Sequence, residues 1–182
     1  MRRFAIVLLG AALAASVPAT VTAAVTAQAD SGFSIENSVD VAASPAAVFA
    51  LLGQPARWWN GDHSYSGNAG NLSLDARVGG CFCEALPRTG AVAAGRVEHA
   101  RVIHVAPVSL LRLVGSLGPL QAEAVTGTLS FSLKAQGAGT KITMSYVVGG
   151  FVRGGAGALA EAVDQVLAEQ LARLKRVADM PG

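Results

Sequence analysis

Apolar residues change their period once along this chain, and that change restricts the fold more than any motif. From Phe33 to Val148 they alternate with polar residues over short runs, the period of half-buried strands. From Leu159 through Val163, Val166, Leu167, Leu171, Leu174 and Val177 they recur at helical spacing over about five turns. A set of half-buried strands needs one covering layer, and one long amphipathic helix can supply it. The pattern predicts an α+β fold in which an antiparallel sheet carries a C-terminal helix.

Local signals divide the strand region. Phe33, Ile35, Val39 and Val41 alternate with Ser34, Ser38 and Asp40 in a first strand. Ser44 and Pro45 then read as an N-cap and a first-turn proline, with Val48, Phe49, Leu51 and Leu52 as the apolar face of a short helix ending at Gly53. Pro55 opens a second short turn carrying Arg57, Trp58 and Trp59, and residues 60–71, rich in Gly, Asn and Ser, read as a loop. Leu72, Leu74, Ala76 and Val78 predict one face of a strand stopping at Gly79-Gly80. Cys81–Leu86 follows, and residues 87–90 turn the chain. Residues 96–105 and Leu110–Val114 are two further strands, broken at Pro107. Residues 126–134 and 141–148 form an expected hairpin around Gln136-Gly137-Ala138-Gly139.

The 182 residues are 52% hydrophobic and 14% charged, which excludes disorder and fits one domain. Part of the apolar content belongs to a segment that reads as a signal peptide. Met1-Arg2-Arg3 is a basic start, residues 4–17 are almost unbroken apolar, and Ala27-Gln28-Ala29 fits a cleavage site before Asp30. Thr22-Ala23-Ala24 is a second stretch of small residues that could be cut. The apolar run is shorter than the roughly 20 residues a membrane span needs. The expected organisation is therefore a leader over residues 1–29 and a single domain over 30–182, in a periplasmic or secreted protein. Removing the leader takes Arg2 and Arg3 and no acid, so the formal charge of +2 vanishes and 12 basic residues face 12 acidic ones. Nothing electrostatic then favours nucleic acid or an acidic membrane.

Several strings resemble the helix-grip superfamily of START-type lipid carriers, polyketide cyclases and dehydrases, and Hsp90-ATPase-activator homologues. They are Val41-Ala42-Ala43-Ser44-Pro45-Ala46-Ala47-Val48-Phe49-Ala50-Leu51-Leu52 with the following Trp58-Trp59, Gly79-Gly80-Cys81-Phe82-Cys83-Glu84, and Gly139-Thr140-Lys141-Ile142-Thr143-Met144. The resemblance covers roughly residues 33–178 and implies a curved sheet gripping the long helix, with two short helices after the first strand and an apolar cavity between sheet and helix. The superfamily shares no catalytic set, so no catalytic residue carries over. An exported chain without a preceding co-chaperone domain fits poorly with activating a cytosolic chaperone, which leaves that branch's name as a fold label.

Chemistry-bearing residues are few. On a strand the Cys81 and Cys83 side chains share a face with Cα atoms about 6.6 Å apart, the upper edge of disulfide geometry unless a bulge, for which Gly79-Gly80 is available, shortens the strand. Apolar packing, a disulfide and a metal site all remain open for this pair. A zinc site would need His63, His99 or His104 to converge on it, and no paired CxxC or H-x-x-x-H spacing supports that. His99 and Arg101 are expected on one face of their strand, and Arg96, Glu98 and His104 on the other. Either set could face the cavity. Trp58, Trp59, His63 and Tyr65 cluster near the loop and suit a cavity mouth, although core packing suits the tryptophans equally.

Two apparent motifs carry little. Gly155-Ala156-Gly157-Ala158-Leu159-Ala160 matches a dinucleotide fingerprint, but too little chain follows for the second strand and its acidic end. Those glycines fit better as a mobile loop before the helix. The Asn71-Leu72-Ser73 sequon sits at a strand start, an ordinary place for such a triplet.

The resulting expectation is an exported protein that binds a small hydrophobic or amphipathic molecule between sheet and helix. Trp58, Trp59, His63, Tyr65, Cys81, Cys83, His99, Arg101 and Tyr146 are the expected cavity residues. No catalytic residue, metal or cofactor is assigned, and the oligomeric state is left open. A cyclase, dehydrase or isomerase using His99, His63 or Tyr146 as acid or base is the alternative, and an interaction module with a surface patch is the third reading.

Overall fold

A computed structural model describes residues 22–180. The basic start and apolar run expected of a leader lie outside the described residues. Eight strands form one antiparallel sheet: β1 (Thr22–Ala29), β2 (Gly32–Val41), β3 (Leu72–Leu74), β4 (Cys81–Leu86), β5 (Gly95–Ala106), β6 (Leu110–Val114), β7 (Ala124–Gln136) and β8 (Gly139–Phe151). Their order across the sheet is β1-β2-β8-β7-β6-β5-β4-β3. Among the described residues two α-helices complete the fold, α1 (Pro45–Leu52) and α2 (Ala160–Ala178). This is the expected α+β architecture, a curved sheet around a long C-terminal helix.

The period-two pattern explains which face is covered. Ile35 and Val39 of β2, Ile142, Met144 and Tyr146 of β8, and Leu129 and Phe131 of β7 are all buried on the inner face. Leu167, Leu171 and Leu174 of α2 lie against them as the apolar stripe of that helix. Polar groups fasten the helix along its length. Asn37 Nδ2 donates to Asp164 Oδ1 at 2.9 Å, and Lys175 Nζ donates to the Asp40 carbonyl at 2.6 Å. The Asp179 carboxylate accepts from the Ala42 amide at 2.7 Å. Ser44 Oγ caps α1 through the Ala47 amide, with Pro45 in the first turn, as its sequence predicts.

Three elements differ from expectation. The strand predicted through Val78 ends at Leu74, because residues 75–80 form a turn in which Arg77 clamps Asp75 and the Gly80 amide donates to the Arg77 carbonyl. Val78 is consequently exposed. Strand β1, by contrast, occupies residues read as the end of the leader. It pairs with β2 from Thr22 opposite Ser38 to Ala29 opposite Gly32. The third difference is a bulge in β5, described with the site below. The hairpin at Gln136-Gly137-Ala138-Gly139 forms as expected, with Gly137 at φ 60° in a two-residue turn.

Tyr146 shows how tightly the inner face is specified. Its hydroxyl donates to the Gly115 carbonyl at 2.9 Å and accepts from the Leu117 amide at 3.1 Å. The ring lies over Gly127, where an added Cβ would fall 2.3 Å from the ring carbon and the hydroxyl. We predict that Gly127→Ala displaces Tyr146 and destabilises the protein by about 1–3 kcal/mol, read as a lowered Tm in thermal unfolding. An unchanged Tm would mean the ring has another place to go.

Candidate functional site

A cavity of about 450 Å³ opens between the N-terminal half of α2, the loop after Trp59, and residues 117–120. Val163, Val166 and Leu167 supply its helical wall, and Leu117, Pro119 and Leu120 supply the opposite one. Its polar groups come from Asp62, His63, Ser64, Tyr65 and His99. Among the described residues, no lysine or arginine lines it. A space of this size, mostly apolar with a few convergent polar groups, has the character of a small-molecule site.

At its inner end lies a buried pair. Glu84 of β4 and His99 of β5 meet at 2.9 Å through His99 Nε2. Glu84 is fully buried, His99 almost so. The carboxylate also accepts the Tyr65 amide at 3.0 Å and the Ser66 amide at 2.5 Å. Burial pushes the Glu84 pKa up, yet the Ser66 side chain and amide, the Tyr65 amide and His99 together pull it below the usual carboxylate value. An ionised carboxylate can only accept, so Nε2 carries the hydrogen and donates it. Burial likewise pushes His99 below the usual imidazole value, against the opposing pull of Glu84. His99 is thus neutral at pH 7, with its lone pair on Nδ1. Tyr65 stacks on its ring at 5.9 Å and Phe82 packs at 5.1 Å, fixing the ring plane.

A bulge creates this arrangement. Phe82 pairs with Ala100 and Cys83 with Glu98, so His99 is the extra residue of β5. Both His99 and Ala100 therefore turn inward. This overturns the expected shared face of His99 and Arg101: Arg101 is on the outside, paired with Glu98 and donating to the Gly79 carbonyl at 2.9 Å. Behind the bulge, Cys81 and Cys83 form a disulfide with Cα atoms 5.4 Å apart, shorter than a flat strand allows. The irregularity that accommodates it lies on the partner strand at His99 rather than at Gly79-Gly80. Cys81, Cys83 and Glu98 are close enough to hold an ion, but the disulfide removes both thiolates. The histidines do not converge on the pair, since His99 faces Glu84 and His63 faces Glu169.

Of the residues expected in the cavity, Trp59, His63, Tyr65 and His99 line it and the others do not. Trp58 is core, its indole N–H donating to the Leu51 carbonyl at 3.0 Å. Cys81, Cys83 and Arg101 belong to the far side of the sheet because the pleat and the bulge turn them away. Tyr146 is committed to Gly115 and Leu117, and burial pushes its phenol up to about 12, which removes it as an acid or base near neutrality. At the mouth, His63 Nε2 lies 3.0 Å from Glu169 Oε2, and the His63 ring holds that carboxyl below its usual value. Asn60 ties the same loop to α2 through Glu169 and Gln170, both at 2.7 Å. Glu84 and Glu169 were not singled out from sequence. Glu84 had a legible signal, a carboxylate sharing a strand face with Phe82 and Leu86.

Both members of the buried pair hold fewer protons when folded than when unfolded. Lowering pH through about 6.5 protonates His99 in the unfolded chain first, and passing below about 4.5 does the same for Glu84. We predict that stability, measured by urea denaturation, falls steadily over that range. In His99→Gln the fall between pH 7 and 5 should shrink. An equal fall in the variant would show that other groups carry the dependence.

No curated protein sequence matches this chain closely enough to count as a relative. Solved structures do. An uncharacterised protein from Rhizobium leguminosarum aligns with a TM-score of 0.56 and 21% identity over 88% of this chain and 97% of its own. The di-domain ARO/CYC StfQ of the steffimycin biosynthetic pathway aligns with a TM-score of 0.56 and 13% identity over 82% of this chain and 51% of its own. Aha1 from Colwellia psychrerythraea, solved as a dimer, aligns with a TM-score of 0.50 and 16% identity over 81% of this chain and 96% of its own. At these identities the likeness concerns the fold alone. The family model described as polyketide cyclase / dehydrase and lipid transport matches residues 32–179, nearly the whole described chain, and the protein belongs to that family.

Proposed function

We propose that the protein binds a small, neutral, amphipathic molecule in the cavity between α2 and the sheet, oriented by a hydrogen bond to His99. The observation that carries this reading is an apolar cavity of about 450 Å³ whose innermost polar group is the neutral imidazole of His99. Apolar contact supplies about 0.8 kcal/mol for each methylene buried, whereas one neutral hydrogen bond adds about 1 kcal/mol. The apolar body therefore sets affinity, and His99 sets orientation. The ligand's polar end should be a hydroxyl or similar donor, which Nδ1 can accept. Asp62 on the lining, with no lysine or arginine there among the described residues, argues against a fatty-acid carboxylate or an anionic lipid.

The reading includes export. The basic start followed by an apolar run supports it, and so does the Cys81–Cys83 disulfide, a bond favoured in oxidising compartments. A cut after Ala29 would remove β1. A cut after Ala24 would keep Val25 opposite Ile35 and Ala29 opposite Gly32 at the end of the ladder. The upstream site is therefore the one proposed.

Native mass spectrometry of the protein purified without detergent tests both parts. A neutral organic mass should accompany the chain and be lost in Val163→Trp, which fills the cavity from α2 and leaves His99 itself unsubstituted. The chain should begin at Val25 and lack the two hydrogens of a dithiol. A bare wild-type chain would count against the binding role, and an intact Met1 terminus would count against export.

A further inference from the structure

Both cysteines of the chain lie in one bond inside a single strand. A disulfide stabilises mainly by restricting the unfolded chain, and the effect grows with the logarithm of the loop it closes. Cys81 and Cys83 are separated by 2 in sequence, so their bond closes a minimal loop and ties no distant segments together. Strand β4 is already paired on both sides, with Cys83 opposite Ser73 of β3 and opposite Glu98 of β5. As a structural tie the bond is redundant, and its surroundings suggest a chemical use.

The two sulfurs differ in access. Cys83 is buried, whereas Cys81 is half-buried on the outer face. Exchange requires a thiolate to attack one sulfur in line, from the side opposite the other. For Cys81 that side is the Gly79-Gly80 end of the strand. Neither glycine has a side chain to block it, and a Cβ added at Gly79 would meet nothing within 4 Å. Arg101 stands opposite Cys81 in the ladder and its Nη1 donates to the Gly79 carbonyl at 2.9 Å, which puts a positive charge beside the approach. Glu98, opposite Cys83, has a carboxylate oxygen within 4.8 Å of both sulfurs.

We propose that Cys81–Cys83 is a thiol–disulfide exchange site that accepts two electrons from peptide thiols, with Cys81 as the sulfur attacked. The thiolate of a peptide thiol bonds to Cys81 Sγ, the Cys81–Cys83 bond breaks, and its electron pair stays on Cys83. A second peptide thiolate then attacks the peptide sulfur of the mixed disulfide and releases Cys81 as a thiolate. The two peptide thiols leave joined as a disulfide, and the protons they shed end on Cys81 and Cys83. In reverse, the dithiol reduces a peptide disulfide. The site lies on the face of β4 opposite Glu84, so it is independent of any ligand in the cavity.

Glutathione is the probe. Folded wild-type protein is mixed with reduced glutathione, trapped with N-ethylmaleimide, and weighed both intact and as peptides. A doubly alkylated chain should accumulate without denaturant, and the glutathione adduct that precedes it should map to Cys81. In Cys83→Ser, glutathione disulfide should modify the remaining thiol at least about 10-fold faster than it modifies Cys81→Ser, and urea should erase the difference. Arg101→Ala should slow reduction of the disulfide and Glu98→Gln should speed it, each a few-fold and less so at high salt. A merely structural ion pair would change Tm and leave these rates alike.

A bond that resists glutathione in the folded protein and yields only in urea is structural and overturns the proposal. An adduct on Cys83, or rates indifferent to both flanking charges, overturns it as well, because attack past Gly79 would then be wrong. Should the variants fail to fold, the wild-type measurement decides the matter by itself. A reduced dithiol peptide compared with glutathione separates the two sources of thiol. Faster reaction with the peptide assigns the site to protein cysteines, and faster reaction with glutathione assigns it to free small thiols; either supports exchange.

Discussion

A carboxylate withdrawn from water organises one whole side of this molecule. Glu84 is fully buried and would be costly there as a lone charge. It is tolerated because three donors converge on it, the amides of Tyr65 and Ser66 and the ring of His99. Those donors come from the long loop and from β5, while Glu84 itself belongs to β4. One ion thus fastens three segments, and removing it would leave two amides and an imidazole unsatisfied.

The β5 bulge is the geometric counterpart of that charge. Without the extra residue, His99 and Ala100 would face opposite sides of the sheet, and no imidazole would reach Glu84. With it, the ring enters the cavity while Arg101 and Glu98 pair outside. The disulfide sits on the same stretch of β4, on the opposite face from Glu84, so the outer surface and the site share one local distortion. The helix completes the enclosure. Its apolar stripe closes the sheet, and Glu169, Gln170 and Arg173 hold the loop that carries Trp59, His63 and Tyr65.

Much of the framework was legible in the residues. The alternation in β2, the hairpin at Gly137, the Ser44 cap and the stripe from Leu159 to Val177 are all local patterns whose physical cause is a few residues long. The site was legible only in part. Trp59, His63 and Tyr65, expected at a cavity mouth because amphipathic side chains near a loop suit one, line the cavity, as does His99, which was expected on a strand face that either cavity or solvent could claim. Trp58, for which core packing was equally open, and Tyr146 lie outside the lining, and what takes Tyr146 out is a partner distant in sequence: its hydroxyl meets Gly115 and Leu117 across the sheet.

By itself, the sequence determined the α+β class, the succession of strands along the chain from β2 onward and the face that α2 buries, since hydrophobic period and turn chemistry are short-range properties. Only the tertiary structure decided that β1 adds an edge strand, that His99 and Arg101 part company, and that Glu84 is the partner of His99. Each of those depends on pairing register, and register is settled by contacts between strands. A single inserted residue reverses which face a side chain occupies. The chemistry of the cavity therefore rests on one bulge that no pattern in β5 announces.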